Sequence, residues 1–220
     1  MSLVVLKVGG AVADEAGAGV EELDGHDVVV VHGAGPQITN ELAAHGIESL
    51  FVNGRRVTDA RSLVVARAVL AAVNAEVCAA IGPRAVGLMG DAIGLRARRV
   101  PALGFVGDPI ASEPAAVLRA LEAGLVPVVA PLAKGPLNVN ADEAAAALAA
   151  GLGAERILFA TNVPGVLRDG VVVSSIGADE AEGLLAAGAF VGGIVPKLEA
   201  AILAARLGVR AEIGGTAVLA

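Results

Sequence analysis

Tryptophan and tyrosine are absent from this 220-residue chain, and four phenylalanines are its only aromatic side chains. With 55% of residues hydrophobic, alanine and valine supplying much of that, the core must be built from small aliphatic groups. Only one cysteine is present, Cys78, which excludes an intramolecular disulfide framework and fits a reducing compartment. Within an apolar helical stretch it reads as a small buried hydrophobe rather than a nucleophile. Basic residues are outnumbered, and the net charge of −7 argues against nucleic acid as a partner. No apolar run approaches the roughly 20 residues of a membrane-spanning helix. Residues Met1–Lys7 lack the charged start and cleavage site of a signal peptide. Together these absences describe a cytoplasmic protein with no membrane partner, long enough for one large or two small lobes.

Short β-branched runs alternate with longer Ala/Leu-rich segments, the pattern of βαβ units and a mainly parallel sheet in an α/β fold. Leu3–Val8, Val28–Val31, Ala85–Met89, Val126–Ala130 and Arg156–Ala160 are apolar throughout, as strands covered on both faces are. Helices are expected over Pro36–His45, Ala60–Ile81, Pro114–Ala123, Ala141–Leu152, Ala178–Ala187 and Val195–Leu207, with Asp59 capping the second. Arg96–Arg99 with Phe105–Val106, and Val166–Val173 around Asp169-Gly170, suggest hairpins. Pro131–Pro136 is the one candidate hinge, dividing a lobe of residues 1–130 from a lobe of residues 131–220.

Three glycine clusters stand where ligands bind in such sheets: Gly9-Gly10, Gly33-Ala34-Gly35 and Gly192-Gly193. Glycine lets backbone N–H groups approach a phosphate, although each cluster alone also suits an ordinary βα turn. No lysine follows a glycine, so there is no Walker A loop, and Ile38 stands where a dinucleotide fingerprint needs its third glycine. Lysine is scarce: Lys7, Lys134 and Lys197 against thirteen arginines. A lysine kept in such a background suggests a need for a compact point charge, with a snorkelling side chain as the alternative. The polar run Asn138-Val139-Asn140-Ala141-Asp142 enters a helix; capping explains one of its polar side chains, not three. His32 suits orienting its loop by hydrogen bonding better than reacting.

Six segments in order resemble the amino-acid kinase family, and within it the kinases of N-acetylglutamate. They are Lys7–Gly10, Val31–Pro36, Asn53–Asp59, Asn138–Asp142, Asn162–Leu167 and Gly192–Lys197. The resemblance implies a three-layer αβα sandwich. Residues 1–130 would bind the acceptor and dimerise, and residues 131–220 would bind ATP. It implies that Gly33, Ala34, Arg56 and Asn138 hold the acceptor, with Arg56 forking onto a carboxylate. Lys7 and Lys197 would flank the transferring phosphoryl group and Asp142 would organise both. Gly9, Gly10, Asn162, Val163, Pro164, Gly165, Val166, Leu167, Ala189, Phe190 and Val191 would line the nucleotide site. ATP, with Mg²⁺ bound through its phosphates rather than by a protein metal site, is the implied donor.

Some residues depart from the family pattern. Ala34 replaces a common glycine. Asn162 stands where many members have aspartate, as in relatives acting on carrier-bound aminoadipate or glutamate, which is the alternative reading. A non-catalytic nucleotide or amino-acid sensor on the same fold is a further one. Between Ile213 and Gly214 a segment of roughly twenty residues usual in the family is missing, and no helical extension precedes Lys7. The resemblance therefore implies an arginine-insensitive homodimer acting on a small molecule.

Overall fold

Valine-rich runs form the middle of the molecule. The structure, a computed structural model, describes residues 2–9, 13–161, 163–168 and 170–220. The chain begins with β1 (Leu3–Val8), α1 (Ala13–Glu22), β2 (Asp27–His32), α2 (Gly35–Ala44), β3 (Phe51–Val52), β4 (Arg55–Arg56) and α3 (Ala60–Ile81). It continues with β5 (Ala85–Met89), α4 (Gly90–Ile93), β6 (Arg96–Arg99), β7 (Val106–Ile110), α5 (Ala115–Glu122), β8 (Val126–Ala130), β9 (Leu132–Ala133) and β10 (Leu137–Val139). Then follow α6 (Ala141–Gly151), β11 (Arg156–Phe159), β12 (Leu167–Arg168), β13 (Val171–Val172), β14 (Ser175–Gly177), α7 (Ala178–Ala186), α8 (Ile194–Arg206), β15 (Arg210–Ile213) and β16 (Thr216–Leu219).

The main sheet has eight strands in the order β14-β16-β15-β11-β1-β2-β8-β5. All its pairings are parallel except β15–β16. Side chains alternate between two cores, which explains why the central strands read as unbroken apolar runs. Val5, Val29, Val31 and Val129 face the helices α5, α6, α7 and α8. Val4, Leu6, Val28, Val30 and Val128 face α1, α2 and α3. Helices thus lie on both sides of a mainly parallel sheet, as the fold class requires. In α6 every residue from Ala144 to Ala149 is buried. A helix apolar on all sides belongs inside, and its small side chains let it pack against β1, β11 and α8 together.

A second sheet, β6-β7-β10-β9, and the hairpins β3–β4 and β12–β13 sit beside the main one. The segment expected to act as a hinge carries β9, which pairs with β10, and the main sheet runs unbroken from β1 to β11. Both hairpins expected in the sequence are present, though Asp169 of the second lies outside the described residues. The helix α1 has no counterpart in the periodicity, because glycine dilutes it. Those glycines serve close packing: a Cβ on Gly17 would lie 2.9 Å from the Ala80 carbonyl oxygen, and one on Gly19 2.9 Å from a Leu6 methyl.

The helix α3 corrects one expectation. Over 22 residues with a mean hydropathy of 1.8 it is long and apolar enough to cross a membrane. Arg67 and Glu76 interrupt its apolar residues, so no unbroken apolar run marks it in the sequence. In the fold one face of α3 is buried, through Leu63, Ala66, Leu70, Val73 and Val77, and Asp59 Oδ1 accepts from Ser62 N at its start.

Candidate active site

The strands β1 and β2 end side by side, so the loops after them share one edge of the sheet. Lys7 is the penultimate residue of β1 and is buried, 5% exposed. A buried ammonium needs a counter-charge. Its Nζ lies 2.6 Å from Asp142 Oδ1, a distance typical of a charge-assisted contact. Asp142 is in the first turn of α6, where the helix dipole favours a carboxylate. Asn140 caps that helix, its Oδ1 accepting from Asp142 N at 2.9 Å and Glu143 N at 3.2 Å. Capping therefore falls to Asn140, and Asp142 is released for Lys7.

The loop after β2 is held from beneath. Gly33 N donates to Val8 O, and His32, fully buried, places Nδ1 3.2 Å from Gly33 O. Its Nε2 lies 3.0 Å from Asn74 Nδ2, which also donates to Val128 O. A carbonyl on one nitrogen and an amide donor on the other assign the neutral Nδ1–H tautomer. Burial pulls the His32 pKa down to about 4, against a smaller opposing effect of the Gly33 carbonyl. Because C=O and N–H point oppositely across a trans peptide, anchoring Gly33 O on the ring turns the Ala34 N–H away from it.

Above this loop lies the β3–β4 hairpin, turned through Asn53 (φ 48°) and Gly54 (φ 72°). Its Arg56 is 6% exposed, and its guanidinium pKa is lowered by burial. It donates to Gly35 O at 3.0 Å, to Thr39 Oγ1 at 2.9 Å and to Ser49 Oγ, and stacks 4.5 Å above the Phe51 ring. Every one of these partners is neutral. Among the described residues no carboxylate lies within salt-bridge distance of it, so a buried cation is left without an anion. The neighbouring Arg55 has two, Asp108 and Glu143. Burial works to lower its pKa, and the two carboxylates outweigh that and raise it. Burial pushes the Glu143 carboxyl up, with Arg55 pulling the other way. The ion cluster ties the hairpin to α6 and β7.

A cavity of about 230 Å³ collects these groups: Lys7, Gly33, Ala34, Gly35, Arg56, Asn138 and Asp142 all line it, with Phe51, Gly54 and Arg55 at its hairpin side. All four expected acceptor contacts and two of the three expected catalytic residues thus share one cleft. Lys197 does not line it; it sits half-buried in the first turns of α8, a helix packed against α6.

A second cavity, about 430 Å³, is lined by Val166, Leu167, Ala189 and Phe190 with Arg168 and Glu180. Pro164 and Gly165 are fixed from behind, Gly215 N donating to Pro164 O and Thr216 Oγ1 accepting from Val166 N. The two-residue turn Gly214-Gly215 joins β15 to β16. It rests directly on this loop: a Cβ on Gly214 would lie 2.6 Å from the Pro164 carbonyl. Val191 is 84% exposed and Val163 partly buried. Gly9 follows β1 directly, while Gly10 and Asn162 lie outside the described residues. Sequence reasoning passed over Arg55, Thr58 and Glu143. The first two lie in the quoted segment Asn53–Asp59, but only folding shows what they touch.

Known proteins carry the same arrangement of sequence. Residues 2–215 match the model of the amino acid kinase family. The chain belongs to the amino acid kinase family. Among its relatives, an acetylglutamate kinase of Rubrobacter xylanophilus is 45% identical, over 97% of this chain and 88% of that one. Another, from Jannaschia sp., is 43% identical, over 96% and 81%. Of solved structures, the smu.665 protein of Streptococcus mutans superposes with a TM-score of 0.86 at 26% identity, over 99% of this chain and 98% of that one. For an amino acid kinase, a buried lysine paired to a carboxylate beside an anion-seeking arginine has an immediate use, since both substrates are anions.

Proposed function

We propose that this kinase transfers the γ-phosphoryl group of ATP to the side-chain carboxylate of N-acetyl-L-glutamate. The products are N-acetyl-L-glutamyl 5-phosphate and ADP, a step of arginine biosynthesis. The observation that carries the reading is Arg56, a buried guanidinium whose partners among the described residues are all neutral, sharing a cleft with the Lys7–Asp142 pair. An acceptor carboxylate supplies the missing anion, and a forked guanidinium holds it in a defined direction. Asn138 and the backbone of Gly33 and Ala34 complete the acceptor site.

An acceptor carboxylate is ionised at neutral pH, so attack on the phosphorus requires no general base. The obstacle is repulsion between anions. Each like-charge contact at about 4 Å costs about 1 kcal/mol in water and about 4 kcal/mol at an effective dielectric near 20. Lys7 offsets this from the acceptor side and Lys197 from the other, and Asp142 positions Lys7 rather than accepting a proton. Residues 162–167 and 189–191 hold the nucleotide, with Gly9 and Gly10 as further contacts. Asp142 already has its carboxylate on Lys7, so Mg²⁺ would be held by the phosphates of the nucleotide and would supply charge neutralisation there.

In this reading residues 1–130 form the acceptor lobe and residues 131–220 the ATP lobe, and the protein works in the cytoplasm. It acts as a homodimer, supported by the exposed small-residue face of α3, Val64, Ala68, Ala71, Ala72, Ala75 and Ala79. ADP release is to be measured with N-acetylglutamate, glutamate, aspartate and N-acetylaspartate, trapping the acyl phosphate as a hydroxamate. Turnover with N-acetylglutamate well above the others is expected. No product at millimolar N-acetylglutamate would refute the assignment.

A further inference from the structure

Thr58 is fully buried and lies between two of the proposed acceptor contacts. Its Oγ1 donates to Arg56 O at 2.7 Å and accepts from Asn138 Nδ2 at 3.1 Å. A threonine hydroxyl has one proton, and here Arg56 O takes it. Toward Asn138 the hydroxyl can only accept, so the amide must turn its NH₂ to Thr58 and keep Oδ1 for another partner. The opposite rotamer would set Oδ1 against a lone pair.

The backbone makes this relay rigid. Thr58 N donates to Leu103 O and Phe105 N donates to Thr58 O at 2.7 Å; Asn138 N in turn donates to Phe105 O. Thr58 and Asn138 are thus both fastened to residue 105, one from each side. Gly104, at φ +83°, allows the approach: a Cβ there would stand 2.3 Å from Thr58 O. The chain of contacts runs from the second sheet through Thr58 to the hairpin that carries Arg56.

We propose that Thr58 is a positioning residue of the acceptor site, which fixes the Asn138 amide and couples it to Arg56; this rests on the acceptor assignment above. The test is steady-state kinetics of the full chain with Thr58→Val, which keeps the shape and removes the hydroxyl, and with Thr58→Ser, which restores it. The KM for N-acetylglutamate should rise about tenfold in Thr58→Val, equivalent to about 1.4 kcal/mol. The KM for ATP should stay within twofold, and Thr58→Ser should recover to within threefold of the parent. On an Asn138→Ala background Thr58→Val should add less than twofold. An unchanged acceptor KM, a loss of kcat alone, or full additivity with Asn138→Ala overturns the proposal.

A measurement on the unaltered protein covers the case in which Thr58→Val fails to fold. The Asn138 side-chain amide protons should exchange with solvent at least tenfold more slowly than a free asparagine amide, by NMR. Free-amide exchange overturns the relay. Slow exchange together with no turnover of N-acetylglutamate supports the relay and sinks only the choice of substrate.

Discussion

Acid should destabilise this fold through His32. The ring is buried and neutral, with Nδ1 on Gly33 O and Nε2 accepting from Asn74, and its pKa is lowered from 6.5 to about 4. In the unfolded chain the imidazole binds a proton as the pH falls through about 6.5. The folded state refuses that proton until about pH 4. Stability from this group is therefore complete above about pH 6.5, declines as the pH falls, and levels off near pH 4. A full shift of this size corresponds to about 3.4 kcal/mol, of which about 1.4 kcal/mol is lost by pH 5.5 and about 2 kcal/mol by pH 5. Urea unfolding of the native chain and of His32→Gln at pH 8, 6, 5.5 and 5 measures it. With an unfolding slope of about 2 kcal/mol per molar, the native midpoint should fall by about 0.7 M more than the variant's between pH 8 and 5.5. The other histidines and the carboxylates are common to both proteins and cancel. Equal pH slopes for the two would refute the argument that a neutral buried imidazole holds up the loop.

Three further outcomes follow from the site. Arg56→Met keeps the stem over Phe51 but removes the charge; the KM for N-acetylglutamate should rise at least tenfold with little change for ATP, by steady-state kinetics. Lys197→Ala should abolish turnover while calorimetry still detects acceptor binding; retained turnover would remove Lys197 from the proposed chemistry. Gly104→Ala places a Cβ against Thr58 O at a positive φ, and should lower the unfolding free energy by about 2 kcal/mol or more, measured by denaturant titration.

Much of the architecture was legible in the residues themselves. The strands Leu3–Val8, Ala85–Met89 and Val126–Ala130 and the helix Ala60–Ile81 have the expected limits, because period and β-branching are local properties. Glycine hid α1 from that reading, since Gly17 and Gly19 answer to Ala80 and Leu6, residues distant in sequence or on another element. Pro109 similarly masked the extent of β7, which tolerates it while pairing with β6.

The site divides along the same line. The sequence alone supplied which residue types the chemistry needs: scarce lysines, a glycine loop after a strand, a polar run at a helix start. Lys7 and Asp142 are 135 positions apart, and only the packing of α6 across β1 brings them to 2.6 Å. The structure likewise decided that Asn140 caps α6 and that Arg55 is neutralised while Arg56 is not, two adjacent arginines that no local pattern separates. Pairing of charges depends on which neighbours burial leaves within reach, and that is a property of the assembled fold.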